Sequence, residues 1–188
     1  MGKLIFGMNV SVDGYIADAK GDIGWSDPDD ELHQYWNDAA REIALSLYGR
    51  RLYELMSAYW PTADKDPDAS RVTIDYARVW LATPRVVFSK TLESVGWNSR
   101  LERGDVVEVA TRLKAETDGV LEVAGATLAA PLVQAGLVDE YRIVLGPTAV
   151  GGGTPYFPAL PSWLSLRLVE NRAFPGGEVL LRYEAKRD

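Results

Sequence analysis

The residues most able to do chemistry sit where apolar runs give way to helix-like spacing. In "LYGRRLYELM" the run ends at Gly49, two arginines follow, and Leu52, Leu55 and Met56 recur at helical intervals. Cations at a helix start oppose its dipole, whereas the outward-pointing N–H groups there favour an anion. Gly49 lets a phosphate or another backbone come close, and Arg50 and Arg51 add charge-assisted donors suited to phosphate. Two further junctions share this pattern. In "VFSKTL" the hydroxyls of Ser89 and Thr91 flank Lys90 just past an apolar strand. In "EVAGATLA", Gly125 and Ala126 open a helix and Thr127 offers a hydroxyl. Each alone also reads plainly: a solvated arginine pair, an ordinary loop, tight strand–helix packing. Together they point to the carboxyl edge of an open α/β sheet, where ligands bind. One diphosphate-bearing ligand would span all three.

The acids leave alternatives open. Asp13, in "NVSVDGYIA", is half of an Asp-Gly turn pair or a candidate acid. Asp29, Asp30 and Glu31 open the next helix, where carboxylates suit the dipole. A carboxylate facing an apolar cleft there would instead orient and protonate a heteroaromatic ring. Trp25, just upstream, reads as core or as part of a ligand lid beside a glycine-containing loop. His33 reads as an exposed helix residue. "GGGTP" (151–155) lacks the Lys-Ser/Thr of a phosphate loop and reads as a structural crossover.

The elements that must position these residues follow from spacing. "KLIFGMNVSV" predicts a buried strand, and "YIADAKGDIGW" reads as turns. "SDPDDELHQYWNDAAREI" predicts a helix capped by Ser26 or Asp27, with Pro28 in the first turn. "ALSLYG" predicts a strand and "RRLYELMSAYW" a helix, followed by a loop over 61–70. "RVTIDYARVWLAT" has helical spacing. "PRVVFSKTL" holds a short strand, and "DVVEVATRLKAE" reads as strand running into helix. "GVLEVAG" and "ATLAAPLVQAG" give a strand and a helix stopped by Gly136. The last quarter is two strands joined through 175–177. Strand–helix alternation closed by an antiparallel segment predicts one α/β domain over 1–188, with a mixed sheet and an antiparallel edge.

Composition limits the functions available. The 188 residues carry a net charge of −7, against a nucleic-acid or anionic-membrane partner. There is no cysteine and one histidine, which argues against a thiolate or multi-histidine metal site. The apolar window from Gly119 to Val138 carries Glu122, Gln134 and Pro131, so it reads as strand, turn and helix rather than a membrane span. "MGKLIFGMNV" is too short and polar for a signal peptide, so the expected location is the cytoplasm.

In this order the segments resemble the dihydrofolate reductase superfamily. The similar branch holds the C-terminal reductase domain of the bifunctional riboflavin-biosynthesis deaminase/reductase. "MNVSVDGYIA", "GDIGW", "LYGRRLYE", "VFSKTL", "VAGATLAAPLVQAGLVDEYRI", "GGGTPYFP" and "GGEVLLRYE" carry the resemblance over essentially the whole chain. It implies a three-layer α/β/α fold with a mostly parallel sheet, NADPH as cofactor, and hydride transfer to a pterin-like or pyrimidine-like ring. It further implies that Gly49, Arg50 and Arg51 hold the adenosine phosphates including the 2′-phosphate. Ser89 and Lys90 would lie near the 2′-phosphate and adenine, and Gly125 to Leu128, with Ala126 and Thr127, at the diphosphate. The mobile loop by the nicotinamide corresponds to Ala17 through Trp25. Asp30 falls where folate enzymes carry their helix acid, and Asp13, Ile23 and Trp25 are the positions beside cofactor and substrate. Three departures stand out: Leu52 replaces a frequent threonine, Ala124 precedes Gly125 where a glycine pair is usual, and Ile143 lies near a pterin-contacting threonine. The alternatives are an NADP(H)-binding regulatory protein of the same fold without turnover, and a structural homodimer built on the apolar C-terminal strands.

Overall fold

The computed structural model describes residues 2–186. Its organising strand is β1 (Lys3–Ser11), which pairs parallel with β6 (Val120–Ala124) on one side and with β7 (Glu140–Gly146) on the other. Beyond β6 come β3 (Ile43–Gly49), β4 (Arg85–Phe88) and β5 (Ser99–Glu102), all parallel. Beyond β7 lie β10 (Val179–Ala185) and β9 (Leu166–Ala173), antiparallel to their neighbours. The order is β5-β4-β3-β6-β1-β7-β10-β9, a mixed and mostly parallel sheet with an antiparallel edge. A small ladder joins β2 (Tyr15–Ala17) to β8 (Thr154–Pro155).

Helices cover both faces, as a mostly parallel sheet requires. On one face Leu4, Phe6, Leu47, Leu121 and Val123 form the main core with α4 (Val106–Glu116) and α5 (Ala126–Gln134), which supplies Leu128 and Leu132. On the other lie α1 (Asp30–Arg41), α2 (Arg50–Ala63) and α3 (Arg71–Ala82). There Leu32 meets Val144, Phe174 and Leu180, while Tyr53 meets Tyr48 and Val87. The strand period of two sends alternate residues to opposite cores. Gly7 is where α1 comes closest: a Cβ there would stand 3.2 Å from Trp36.

Several boundaries differ from those the spacing predicts. The N-cap of α1 is Asp29, whose carboxylate accepts from the Leu32 N–H, rather than Ser26 or Asp27. α2 runs through the buried Pro61 to Ala63, into the expected loop, because a proline in the last turn sacrifices only one helical bond. "DVVEVATRLKAE" is helix from Val106, capped by Asp105 at the Val107 and Glu108 amides. β5, a polar SRLE, and β2, only three residues long, are too short to announce themselves. The window 119–138 resolves into β6, a turn at Gly125 and α5. Among the described residues no helix is long and apolar enough to cross a membrane.

The amino-terminal edge of the sheet is fastened by charge. Glu140, 1% exposed, accepts from Lys3 Nζ and Arg142 Nε, both at 2.6 Å, and Arg142 also reaches Glu42 at 3.2 Å. Burial alone would raise the Glu140 carboxyl, but the bonds from Lys3 and Arg142 outweigh it and hold the pKa below its ordinary 4.5. A depressed carboxyl stabilises the fold above its unfolded-state pKa, and that stability disappears as pH falls through the folded-state value. Glu140→Gln should therefore cost about 3 kcal/mol in urea denaturation at neutral pH, because buried Arg142 loses its nearest counter-charge. The gap from the parent should be full above pH 4.5 and close progressively below it.

Candidate active site

Parallel pairing brings the three glycine- and hydroxyl-bearing junctions together. Gly49 lies beside Phe88 across β3 and β4, and Tyr48 lies beside Ala124 across β3 and β6. The starts of α2 and α5 and the turn after β4 are therefore neighbours at the carboxyl edge. α2 begins on Gly49 and α5 on Gly125, and neither helix has a side-chain cap or an acid in its first turn. By contrast α1, α3 and α4 are capped by Asp29, Ser70 and Asp105. The first-turn N–H groups of α2 and α5 thus have no capping oxygen, and both helix dipoles present their positive ends at one place. Gly125 has φ 93°, a left-handed conformation that strains any side-chain-bearing residue. A Cβ on Gly49 would lie 3.7 Å from Leu128 Cβ, and one on Gly125 would lie 3.8 Å from Leu52 Cδ2. The two helix starts interlock, with Ala126 and Leu128 buried and Thr127 exposed.

The cations divide their work. Arg50 pairs with Glu54 through Nε at 2.8 Å and donates from Nη1 to Thr91 Oγ1 at 2.8 Å, joining the first junction to the second. Arg51 and Lys90 are exposed and make no side-chain hydrogen bond or ion pair among the described residues. The Ser89 hydroxyl accepts from the Thr91 and Leu92 amides, so it closes its own turn. Arg103 braces that turn from behind, donating to the carbonyls of Leu92 at 2.6 Å and Ser89 at 3.4 Å. Sequence reasoning passed over Arg103 because β5, which delivers it to this edge, gives almost no pattern of its own.

Asp13 is an anchor. Its carboxylate accepts from Ser11 Oγ at 2.6 Å, Gly151 N at 2.7 Å and Val150 N at 3.1 Å. The Ser11 hydroxyl, aided by the two amides, holds its pKa below the ordinary value. It is thus ionised at neutral pH and its lone pairs are engaged. The tie brings the glycine turn against β2, where a Cβ on Gly153 would fall 2.0 Å from the Ala17 carbonyl oxygen. Buried Ala17 contributes backbone to this contact, and the turn serves as the crossover into β8.

A cleft opens between α1, the ends of β1 and β7, and the β9–β10 hairpin. Its open mouth included, it spans about 250 Å³. Its walls are Pro28 and Leu32 from the α1 side, Val144, Gly146 and Pro147 from β7, and Asn9 from β1. Trp25 closes one end, its ring 3.3 Å from where a Cβ on Gly146 would stand. Glu178 closes another. Asp30, the first residue of α1, is exposed and outside this lining, as is Ile23, 50% exposed in the preceding loop. His33 is half-buried rather than exposed, its ring near those of Trp60 and Tyr76. The acid at the cleft is Glu178, which sequence reasoning missed. Its one signal is its place directly after the hairpin turn "PGG".

A family model described as the RibD C-terminal domain matches residues 2–180. YyaP of Bacillus subtilis (strain 168), a protein of uncharacterized function, is 26% identical, with 96% of this chain and 94% of YyaP covered. A candidate riboflavin biosynthesis protein from Shewanella sp. PV-4 shares 25% identity and has TM-score 0.76 over 100% of both chains. Dihydrofolate reductase from Enterococcus faecalis, complexed with NADP(H), has TM-score 0.67 and 14% identity, covering 99% of this chain and 98% of its own. At that identity the likeness is one of fold.

The Asp13 tie is open to a direct check. Asp13→Ala should speed hydrogen exchange at the Val150 and Gly151 amides several-fold while leaving α4 amides unchanged. In the parent, that protection should persist below pH 3.8 and vanish only as pH falls through the lowered folded-state pKa.

Proposed function

The chain belongs to the RibD C-terminal domain family, and we propose that it is an NADPH-dependent reductase acting on a pterin-like or pyrimidine-like ring. The observation that carries this reading is the pair of uncapped, glycine-started helices, α2 and α5, opening side by side. Such N-termini bind anions without further aid, and two together suit the linked phosphates of a dinucleotide. The amides of Gly125 to Leu128 would hold the diphosphate, with the Thr127 hydroxyl beside them. The turn of Ser89 and Lys90 and the guanidinium of Arg51 would hold the 2′-phosphate, and Arg50 would join them through Thr91. The glycines fit the role, since nothing but Leu128 and Leu52 approaches their missing Cβ atoms. The likeness in fold to a reductase complexed with NADP(H) supports the same assignment.

The bound nicotinamide supplies the hydride, which is chemistry the side chains lack. The chain's own work is to hold the ring, exclude water and orient the acceptor carbon. Leu32, Val144 and Pro147 give the cleft apolar walls, and Trp25 and Ser26, at the end of the loop from Ala17, close over it. With Trp25 seated on Gly146 the cleft leaves about 20 Å³ of free space, room for a water, where ligand sites usually begin at roughly 300 Å³. Substrate entry therefore moves this loop outward. Asp13 is tied down as an anion and Asp30 lies outside the lining, so neither is placed to deliver a proton to a ring in the cleft.

Titration of the purified protein with NADPH and NADH, read by thermal shift and tryptophan fluorescence, tests the cofactor assignment. NADPH should bind more tightly, and Arg50→Ala/Arg51→Ala should weaken it by about tenfold or more while NADH changes little. Absence of NADPH binding at millimolar concentration removes the proposal. Loss of NADPH absorbance with pterins and the riboflavin-pathway uracil intermediate distinguishes a reductase from a cofactor-binding regulator.

A further inference from the structure

Two buried polar atoms without partners line the same cleft. The Trp25 indole N–H has no acceptor, and Glu178 Oε2 has no donor. One is a pure donor and the other, in the ionised side chain, a pure acceptor. An orphaned buried polar atom costs stability, and two of opposite kind in one small cavity suit a ligand that satisfies both. A third group joins them. Trp36 Nε1 donates to Asn9 Oδ1 at 2.8 Å. Since an indole nitrogen only donates, the oxygen of Asn9 must face Trp36, which leaves the Asn9 amide N–H₂ as a second donor at the cleft.

The Glu178 carboxylate folds back over its own hairpin. A Cβ on Gly176 would stand 2.5 Å from Glu178 Oε2 and 3.1 Å from Oε1. The carboxylate occupies the space a side chain at 176 would fill. The main chain supports this arrangement, since Phe174 N donates to the Glu178 carbonyl at 2.8 Å and Gly177 N to the Phe174 carbonyl at 3.1 Å.

The geometry points to Trp25, Asn9 and Glu178 as the residues that select the substrate ring, by reading a lactam edge. Glu178 accepts from a ring N–H, and Trp25 and Asn9 donate to a ring carbonyl. The apolar walls sandwich the flat faces of the ring. The ring-reading acid thus comes from the β9–β10 hairpin, not from the start of α1. This rests on the reductase reading only in taking the bound ring as substrate. The ring binding itself stands or falls separately.

The test uses 5,6-diaminouracil and its 1,3-dimethyl derivative, which lacks both ring N–H groups. Binding is followed by the Trp indole N–H resonances, with Trp25→Phe to assign the one from Trp25. Diaminouracil should shift the Trp25 resonance, and the dimethyl compound should bind about tenfold more weakly or worse. Glu178→Gln should weaken diaminouracil by a similar factor and leave the dimethyl compound nearly unchanged. Gly176→Ala, which keeps the charge but displaces the carboxylate, should act in the same direction as Glu178→Gln. Equal affinity of the parent for the two compounds overturns the inference, and that comparison needs no variant to fold. Undiminished binding of diaminouracil to folded Glu178→Gln overturns it as well. A Glu178-dependent lactam preference in a protein that binds no NADPH would keep this inference and discard the reductase. NADPH binding with no lactam preference would do the reverse.

Discussion

The parallel pairing of β3 with β4 and β6 is the interaction on which the candidate site depends. Parallel strands all end at the same edge, so each strand-to-helix turn adds a helix N-terminus or loop there. Register then decides which turns are neighbours. Gly49 opposite Phe88, and Tyr48 opposite Ala124, put two helix starts and one hydroxyl turn side by side. A one-residue slip in either ladder would send Leu45 and Leu47 to the face that Tyr48 shares with α2. The core formed by Leu45, Leu47, Val86, Leu121 and Val123 resists that slip, so the hydrophobic core also fixes the position of the polar edge.

The two edges of the sheet are finished by opposite means. At the amino-terminal edge charges are spent on each other: Lys3, Glu140, Arg142 and Glu42 form one chain of contacts, and Lys114 pairs with Asp139 at 2.5 Å. At the carboxyl edge the starts of α2 and α5 lack side-chain caps, and Arg51 and Lys90 lack partners among the described residues. The chain as a whole carries −7, yet Arg51 and Lys90 stand exposed beside these two helix starts. No contradiction arises, because exposed charges are screened within about 8 Å at physiological salt. Local arrangement, not net charge, sets what the edge attracts.

Much of this was legible in the sequence because it is local. The glycine that starts each helix, the arginines behind Gly49 and the Ser-Lys-Thr turn were visible as types at fixed spacing. The apolar runs of β1, β3, β6 and β7 announced themselves, as did the antiparallel close. β2 and β5 did not, since strands of three or four residues draw their structure from a neighbour's ladder rather than from their own pattern. Arg103 stayed hidden for that reason. The N-cap of α1 was misplaced by two or three residues because Ser26, Asp27 and Asp29 are all competent caps, and only the packing of Leu32 selects among them.

The acids show where local reading stops. Asp13 beside Gly14 was legible as a turn. That its carboxylate fastens the loop at 150–151 required a contact across 138 residues of sequence. Asp30 had the right type and position for a helix acid, yet its side chain is exposed, while Glu178 reaches the cleft from the far end of the chain. The sequence by itself determined the fold class and the parts of the candidate anion-binding edge, because hydrophobic period and helix-end chemistry are short-range properties of the chain. Only the tertiary structure decided which carboxylate faces the cleft. That choice depends on strand order and hairpin placement, which long-range packing sets and no local spacing encodes.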